Sequence, residues 1–295
     1  MSTFLSRIPH RRHLQIWGLL FFLPALVILI VFRLLPIVMS LRVSFFDAHL
    51  LRGTEVFVGL ENFAFALEDQ VLIESLKTTG LYVLMKIPVQ VVLALGLAML
   101  VNRRLPLRRL VRSTPLMAVV MPMSIAAMLW QLMYHPTNGL INSIFRTIGL
   151  PPQPFLTDVQ QALPALVAMT IWKDLGFYMI FYLAGLQGIP GEYYDAARVD
   201  GASRWNEFRH VTLPLLRRTT LVVVLLSTVF AFQVFVPVYV MTQGGPRSVT
   251  NVIVYYMYTT AFHFMQVGYA NTIAIITLII VLVIAALQLK VSRDD

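Results

Sequence analysis

Few residues in this 295-residue chain could do chemistry, and their spacing excludes the common reactions. A phosphate-cradling loop needs Gly-Lys-Ser or Gly-Lys-Thr, because its lysine must reach the phosphates from the loop. The four lysines are Lys77, Lys86, Lys173 and Lys290, and none follows a glycine, so ATP has no such loop to bind. No His-Glu-x-x-His run occurs; only His10 and His13 lie within four positions of each other, in a basic tail that reads as solvated or lipid-facing surface rather than a metal site. There is no Gly-x-Ser-x-Gly elbow and no cysteine, which removes disulfides, thiolate catalysis and Cys-based metal sites. Enzyme readings have no constellation to stand on, which leaves transport or signalling. What remains are three ionisable residues in apolar surroundings, Lys86, Lys173 and Asp174. A charge at membrane depth is costly to desolvate and is a functional candidate by default.

The elements that must position these residues are apolar. Of all residues 58% are hydrophobic and 13% charged, against about 25% charged in soluble domains, too few to coat a water-soluble globule. A bilayer-spanning helix needs roughly 17–25 apolar residues. Six stretches qualify: Ile16 to about Val38, Leu76 to Val101, Leu110 to Tyr134, Leu163 to Gly185, Leu216 to Val240 and Tyr269 to Leu289. Arg33 interrupts the first. Its apolar run exceeds a signal-peptide core and no A-x-A-like cleavage site follows, so it reads as an uncleaved span.

The formal net charge of +9 sorts by side. Arg7, Arg11 and Arg12 precede span one; Arg103, Arg104, Arg108, Arg109 and Arg112 follow span two; Arg198, Arg204, Arg209, Arg217 and Arg218 follow span four; Lys290 and Arg293 follow span six. The alternate loops hold only Arg42, Arg52, Lys77, Arg146 and Arg247. Basic loops stay on the cytoplasmic side, which predicts an even number of spans with both termini cytoplasmic. Topology accounts for the basic excess, so nucleic acid is not an expected partner, whereas membrane lipid is. The expected organisation is an N-terminal cytoplasmic tail over 1–15, a six-helix transmembrane domain over 16–289 and a cytoplasmic tail over 290–295, with a distinctive cytoplasmic loop over 187–215.

That loop has local signals for two short helices. Pro190 can open the first, with Glu192 in its first turn near the positive dipole end, and Gly201 can end it in the left-handed conformation. Ser203 can cap a second helix through Val211, and Pro214 marks the entry to span five. Taken alone, this is an amphipathic helix–turn–helix on a membrane surface. The spacing is more specific. Asp195-Ala196-Ala197, three residues, Gly201, nine residues, then Val211-x-Leu213-Pro214 resembles the "EAA" loop of bacterial ABC importer permeases, with Asp195 for Glu and Val211 for Ile. Phe57-Val58-Gly59-Leu60-Glu61-Asn62-Phe63, Asn138-Gly139-Leu140-Ile141-Asn142, Ala184 to Pro190 and Thr242-Gln243-Gly244-Gly245-Pro246 resemble segments of the carbohydrate-uptake subfamily of those permeases.

The resemblance implies an all-α integral membrane protein with six transmembrane helices in the type I, MetI-like fold, the first of two permeases in a sugar or glycerol-phosphate importer. It implies as partners a second homologous permease, two ABC ATPase subunits that carry ATP and Mg, and an extracytoplasmic substrate-binding protein; this chain would hold no cofactor of its own. It also implies that the helix around Asp195 to Gly201 docks on an ATPase subunit. Coupling therefore falls to Asp195, Ala196, Ala197 and Gly201, with Glu192 and Arg198 beside them. Sugars are bound by aromatic faces and uncharged hydrogen-bonding groups, which nominates Trp130, Gln131, Trp172, Tyr178 and Gln233 for the substrate path. Lys173 and Asp174 read either as path residues or as a structural pair, and Lys86 as a snorkelling residue or one facing the partner permease. Tyr255, Tyr256 and Tyr258 read as an interfacial belt. Ala94, Ala98, Ala126 and Ala127 read as sites of close helix approach. Two other classes compete. An ion-driven secondary transporter needs paired acidic residues at midplane, and Asp174 is the one acidic residue inside a span; a membrane-anchored sensor needs a sizeable soluble domain, and the longest external loop, about Met39 to Ser75, is too short for one.

Overall fold

The computed structural model describes residues 10–49, 51, 53–102 and 108–291. Arg7, Arg103, Arg104 and Arg293, and the ends of both expected tails, lie outside the described residues. Among the described residues four helices are long and apolar enough to cross a membrane, and six spans result if each of two bent helix pairs is one span. The chain divides into two compact units, residues 1–66 with 260–275, and residues 67–259 with 276–295.

The first unit begins with α1 (His10–Leu29), a π-helical turn over Ile30–Leu34 that contains Arg33, and α2 (Leu35–Val43). None of the apolar window within Leu20–Val43 is buried, so that stretch presents its side chains outward. An antiparallel hairpin follows, β1 (Phe46–His49) with β2 (Thr54–Phe57), in the register Phe46↔Phe57. The expected all-helical chain thus carries one small sheet. Asn62, in α3 (Glu61–Glu68), fastens the hairpin by donating to the carbonyls of Ser44 and Phe46, both at 3.0 Å.

The second unit is built on α4 (Gln70–Asn102). Asp69 caps it, accepting from the Val71 amide at 2.9 Å and from the buried Tyr256 hydroxyl at 2.6 Å. The third expected span is not one helix: α5 (Arg108–Val120) and α6 (Met123–Met133) meet at 107°. Pro122 is the cause, because it lacks an N–H and drives the residue before it out of the α region. After α7 (Leu140–Thr147), α8 (Ala162–Gln187) runs parallel to α4. Tyr82 donates to Thr170 at 2.8 Å and Lys86 pairs with Asp174, so each step of four on one helix matches a step of four on the other.

Two short helices, α9 (Gly191–Val199) and α10 (Arg204–Glu207), a π-helical turn over Phe208–Thr212 and α11 (Leu213–Leu215) lead to α12 (Arg217–Phe232), which bends 65° from the preceding segment. The fifth span is also shorter than expected. It stops at Phe232 and resumes as α13 (Val236–Met241), where Pro237 occupies the first turn. α14 (Ile253–Phe262) and α15 (Val267–Val291) complete the chain. The core of this unit lies along α4, α8 and α12. Ala94, Ala98, Ala126 and Ala127 are fully buried within it, so their small size serves packing inside this chain.

Candidate functional site

Three of the concave sites in the second unit are ordered along the parallel pair α4 and α8. At the C-terminal ends of the pair sits the elbow. α9 opens after Pro190 and closes where Gly201 adopts φ +77°, and the Ala202 amide bonds back to the Ala197 carbonyl at 2.9 Å. Ser203 caps α10 by accepting from the Asn206 amide at 3.3 Å. The second helix is shorter than expected, with a π-helical turn in place of its last residues up to Val211.

One side chain braces the two helices together. The Arg198 guanidinium donates to Asp195 at 3.2 Å on its own helix and to Glu207 at 3.0 Å on the next, and Tyr194 and Thr212 join hydroxyls at 3.1 Å. An exposed ion pair alone contributes about 0–1 kcal/mol, but Glu207 is largely buried, which ties the geometry more firmly. These braces enclose a cavity of about 440 Å³ bounded by Met99, Leu186, Tyr194, Glu207 and Phe208, so the elbow is seated on the ends of α4 and α8. The opposite face of α9 is bare: Glu192, Asp195, Ala196 and Val199 are exposed at i, i+3, i+4, i+7, with Val199 at 87%. Ala197 is half-buried on the inner side. Of the residues expected in coupling, Glu192, Asp195 and Ala196 therefore form the outward surface, Arg198 the brace and Gly201 the turn.

The middle site departs from expectation. Asp174 pairs not with Lys173 but with Lys86, at 2.6 Å, and their side chains are 23% and 3% exposed. Lys86 neither snorkels nor faces outward; it is buried between helices. Lys173 instead donates to the Val119 carbonyl at 3.0 Å, one residue before α5 ends at the 107° bend. The last carbonyls of a helix have no partner within it, so a lysine there supplies the missing donor. Beside the Lys86–Asp174 pair lies a cavity of about 330 Å³, closed on its far side by the break between α12 and α13 and lined also by Tyr82, Thr170, Phe230 and Gln233.

Only Asp174 and Gln233 of the seven expected path residues meet at this cavity. Trp130 and Trp172 lie 5.5 Å apart, ring to ring, in a row that continues to Tyr134 and Phe155. Gln131 is exposed away from the cavity, and Tyr178 is buried in the α4–α8–α12 core. Tyr255 and Tyr258 form a cluster with Phe235 and Tyr239, and Tyr256 is turned inward to Asp69. The residues that sequence reasoning missed are Lys86 as the partner of Asp174, Glu207 as the partner of Arg198, and Tyr82 and Thr170. The signal for the first was two opposite charges inside different spans. Among the described residues no group of His, Asp or Glu could hold a metal ion. The middle site can offer carboxylate and amide groups to hydroxyls, with no net charge.

Residues 81–294 match the family described as binding-protein-dependent transport system inner membrane component. The chain belongs to that family. It is a multi-pass inner-membrane permease with the MetI-like fold. The permease is 33% identical over 278 residues to the probable ABC transporter permease protein YurN of Bacillus subtilis, covering 92% of this chain and 94% of that protein. It is 33% identical over 279 residues to the trehalose/maltose transport system permease protein MalF of Thermococcus litoralis, covering 94% and 93%. Its fold matches a chain in the crystal structure of a bacterial alginate ABC transporter in complex with an alginate pentasaccharide-bound periplasmic protein, with TM-score 0.82, 24% identity and 96% of each chain covered.

Proposed function

We propose that this permease forms, with a second homologous permease, the path by which a sugar released from an extracytoplasmic binding protein enters the cell, and that two ABC ATPase subunits holding ATP and Mg drive it. Both termini are then cytoplasmic. The observation that carries the reading is the braced elbow: a short helix with one bare face, tied by Arg198 to Glu207 and by Tyr194 to Thr212, in a segment whose Phe208 packs into the core shared by the ends of α4 and α8. A force on the bare face of α9 reaches α4 and α8 without being lost in a soft loop. The kinship with a trehalose/maltose permease supports a sugar as the solute. So does the middle site, where the charge of Lys86 is neutralised by Asp174 and is not on offer to a phosphate, which weighs against glycerol phosphate as cargo.

The chain purified in mild detergent is expected to bring a P-loop ATPase and a second permease with it. In proteoliposomes that complex, given its binding protein, is expected to accumulate a sugar only with ATP. Uphill uptake by the chain alone would overturn the reading in favour of an ion-coupled transporter. A thermal-shift screen of the binding protein against sugars, polyols and glycerol 3-phosphate identifies the cargo class.

A further inference from the structure

The third concave site lies at the N-terminal ends of α4 and α8, the end opposite the elbow, and no role above uses it. It is a cleft of about 490 Å³ whose walls include Glu74, Thr78 and Leu81 of α4, Gln160 before α8, and Arg247 and Ser248 on the turn that precedes α14. That turn is under unusual backbone constraint. Gln243, Arg247 and Ser248 have φ of +50°, +47° and +64°, and Gly244 has +80°. A non-glycine residue rarely adopts such values, and strain of about 1–3 kcal/mol per residue persists only where the surroundings over-determine it.

The surroundings here do so. The fully buried Thr250 donates to the Gly245 carbonyl at 2.6 Å and lies 2.8 Å from the Thr242 hydroxyl. The Gln243 amide reaches the Val238 carbonyl at 2.7 Å, and a Cβ on Gly244 would stand 2.9 Å from the Tyr255 ring. The turn is thus held rigid from behind while it presents Arg247 outward. Arg247 is exposed, and among the described residues no carboxylate lies within ion-pair distance of it. The carboxylate in the same cleft, Glu74, is already engaged by Lys77 at 2.7 Å. A rigidly displayed cation above a cleft of loop-tip size fits an acidic protein segment.

We infer that this cleft receives an acidic loop of the solute-binding protein, with Arg247 as the docking cation. The inference rests on the importer reading, which places this end of α4 and α8 outside the cell. The test uses the whole complex in nanodiscs and its solute-loaded binding protein, with docking followed by interferometry. Arg247→Glu is expected to weaken docking roughly ten-fold or more, since a like charge then faces the acidic loop, and Arg247→Lys to stay within about three-fold of the unsubstituted complex. Docking to the unsubstituted complex is expected to weaken as salt rises, and less so in Arg247→Glu. Unchanged docking in Arg247→Glu overturns the assignment of the cleft while leaving the importer intact. An unsubstituted complex that captures no binding protein at any salt concentration overturns the importer reading itself, and this assignment with it.

Discussion

The Lys86–Asp174 pair sets the energetics of the membrane interior at the level of single residues. Neither charge would be tolerable alone at this depth, and the 2.6 Å contact is what permits both. Asp174→Asn leaves a buried ammonium without its counter-charge and is expected to destabilise the protein by about 3–5 kcal/mol. The double substitution Lys86→Met with Asp174→Asn removes both charges and is expected to recover most of that loss. Thermal unfolding in detergent, followed by size-exclusion fluorescence, compares the two; equal destabilisation would show that the pair is not coupled. Gly176 sets a second residue-level limit, since a Cβ there would run into the Pro115 carbonyl and hold α5 off α8. Gly176→Val is expected to cost about 1–3 kcal/mol, as overpacking does, and the same unfolding measurement reads it.

Among the elements, the breaks matter as much as the helices. The bend after α5 leaves carbonyls that Lys173 helps to satisfy, and the break between α12 and α13 forms the far wall of the middle cavity. The elbow obeys the same logic: Gly201 at φ +77° turns the chain so that Glu207 comes within reach of Arg198. A tryptophan at Ala197, half-buried on the inner side of α9, is expected to push the elbow off its seat, and one at Gly201, where a Cβ meets open space, to strain the left-handed turn that brings Glu207 to Arg198. Either change is expected to cut ATP-driven uptake at least ten-fold, while ATP hydrolysis by the complex falls much less. Parallel assays of uptake and hydrolysis in proteoliposomes make the comparison, and full transport in either variant would sink the coupling role. Glu207→Gln, which keeps the shape of the brace and removes its charge, is expected to loosen coupling in the same direction but less.

For the whole molecule, the order of sites along the parallel α4–α8 pair gives a vectorial arrangement, with the Arg247 cleft at one end, the neutral cavity between and the elbow at the other. The absence of cysteine from the chain makes this directly testable. A single cysteine in place of Ser248 is expected to react with an impermeant maleimide on intact cells. One in place of Asp195 is expected to react only after the membrane is opened. The reverse pattern would invert the topology and with it the direction of import.

The sequence by itself determined the class of this protein, because length and apolarity of helices are one-dimensional properties that the bilayer reads directly. It also determined the elbow's turn: Pro190, Gly201 and Ser203 act through local backbone geometry, and the structure has each in its expected role. Only the tertiary structure decided which charge met which. Adjacent residues on a helix point about 100° apart, so Lys173 and Asp174 diverge, one to the end of α5 and the other to Lys86, 88 positions earlier in the chain. The aromatic candidates Trp130 and Trp172 lie away from the middle cavity for the same reason. Trp130 and Trp172 have the right chemistry for a sugar, but which face of a buried helix borders a cavity depends on where α12 breaks, and that is set by packing between helices distant in sequence.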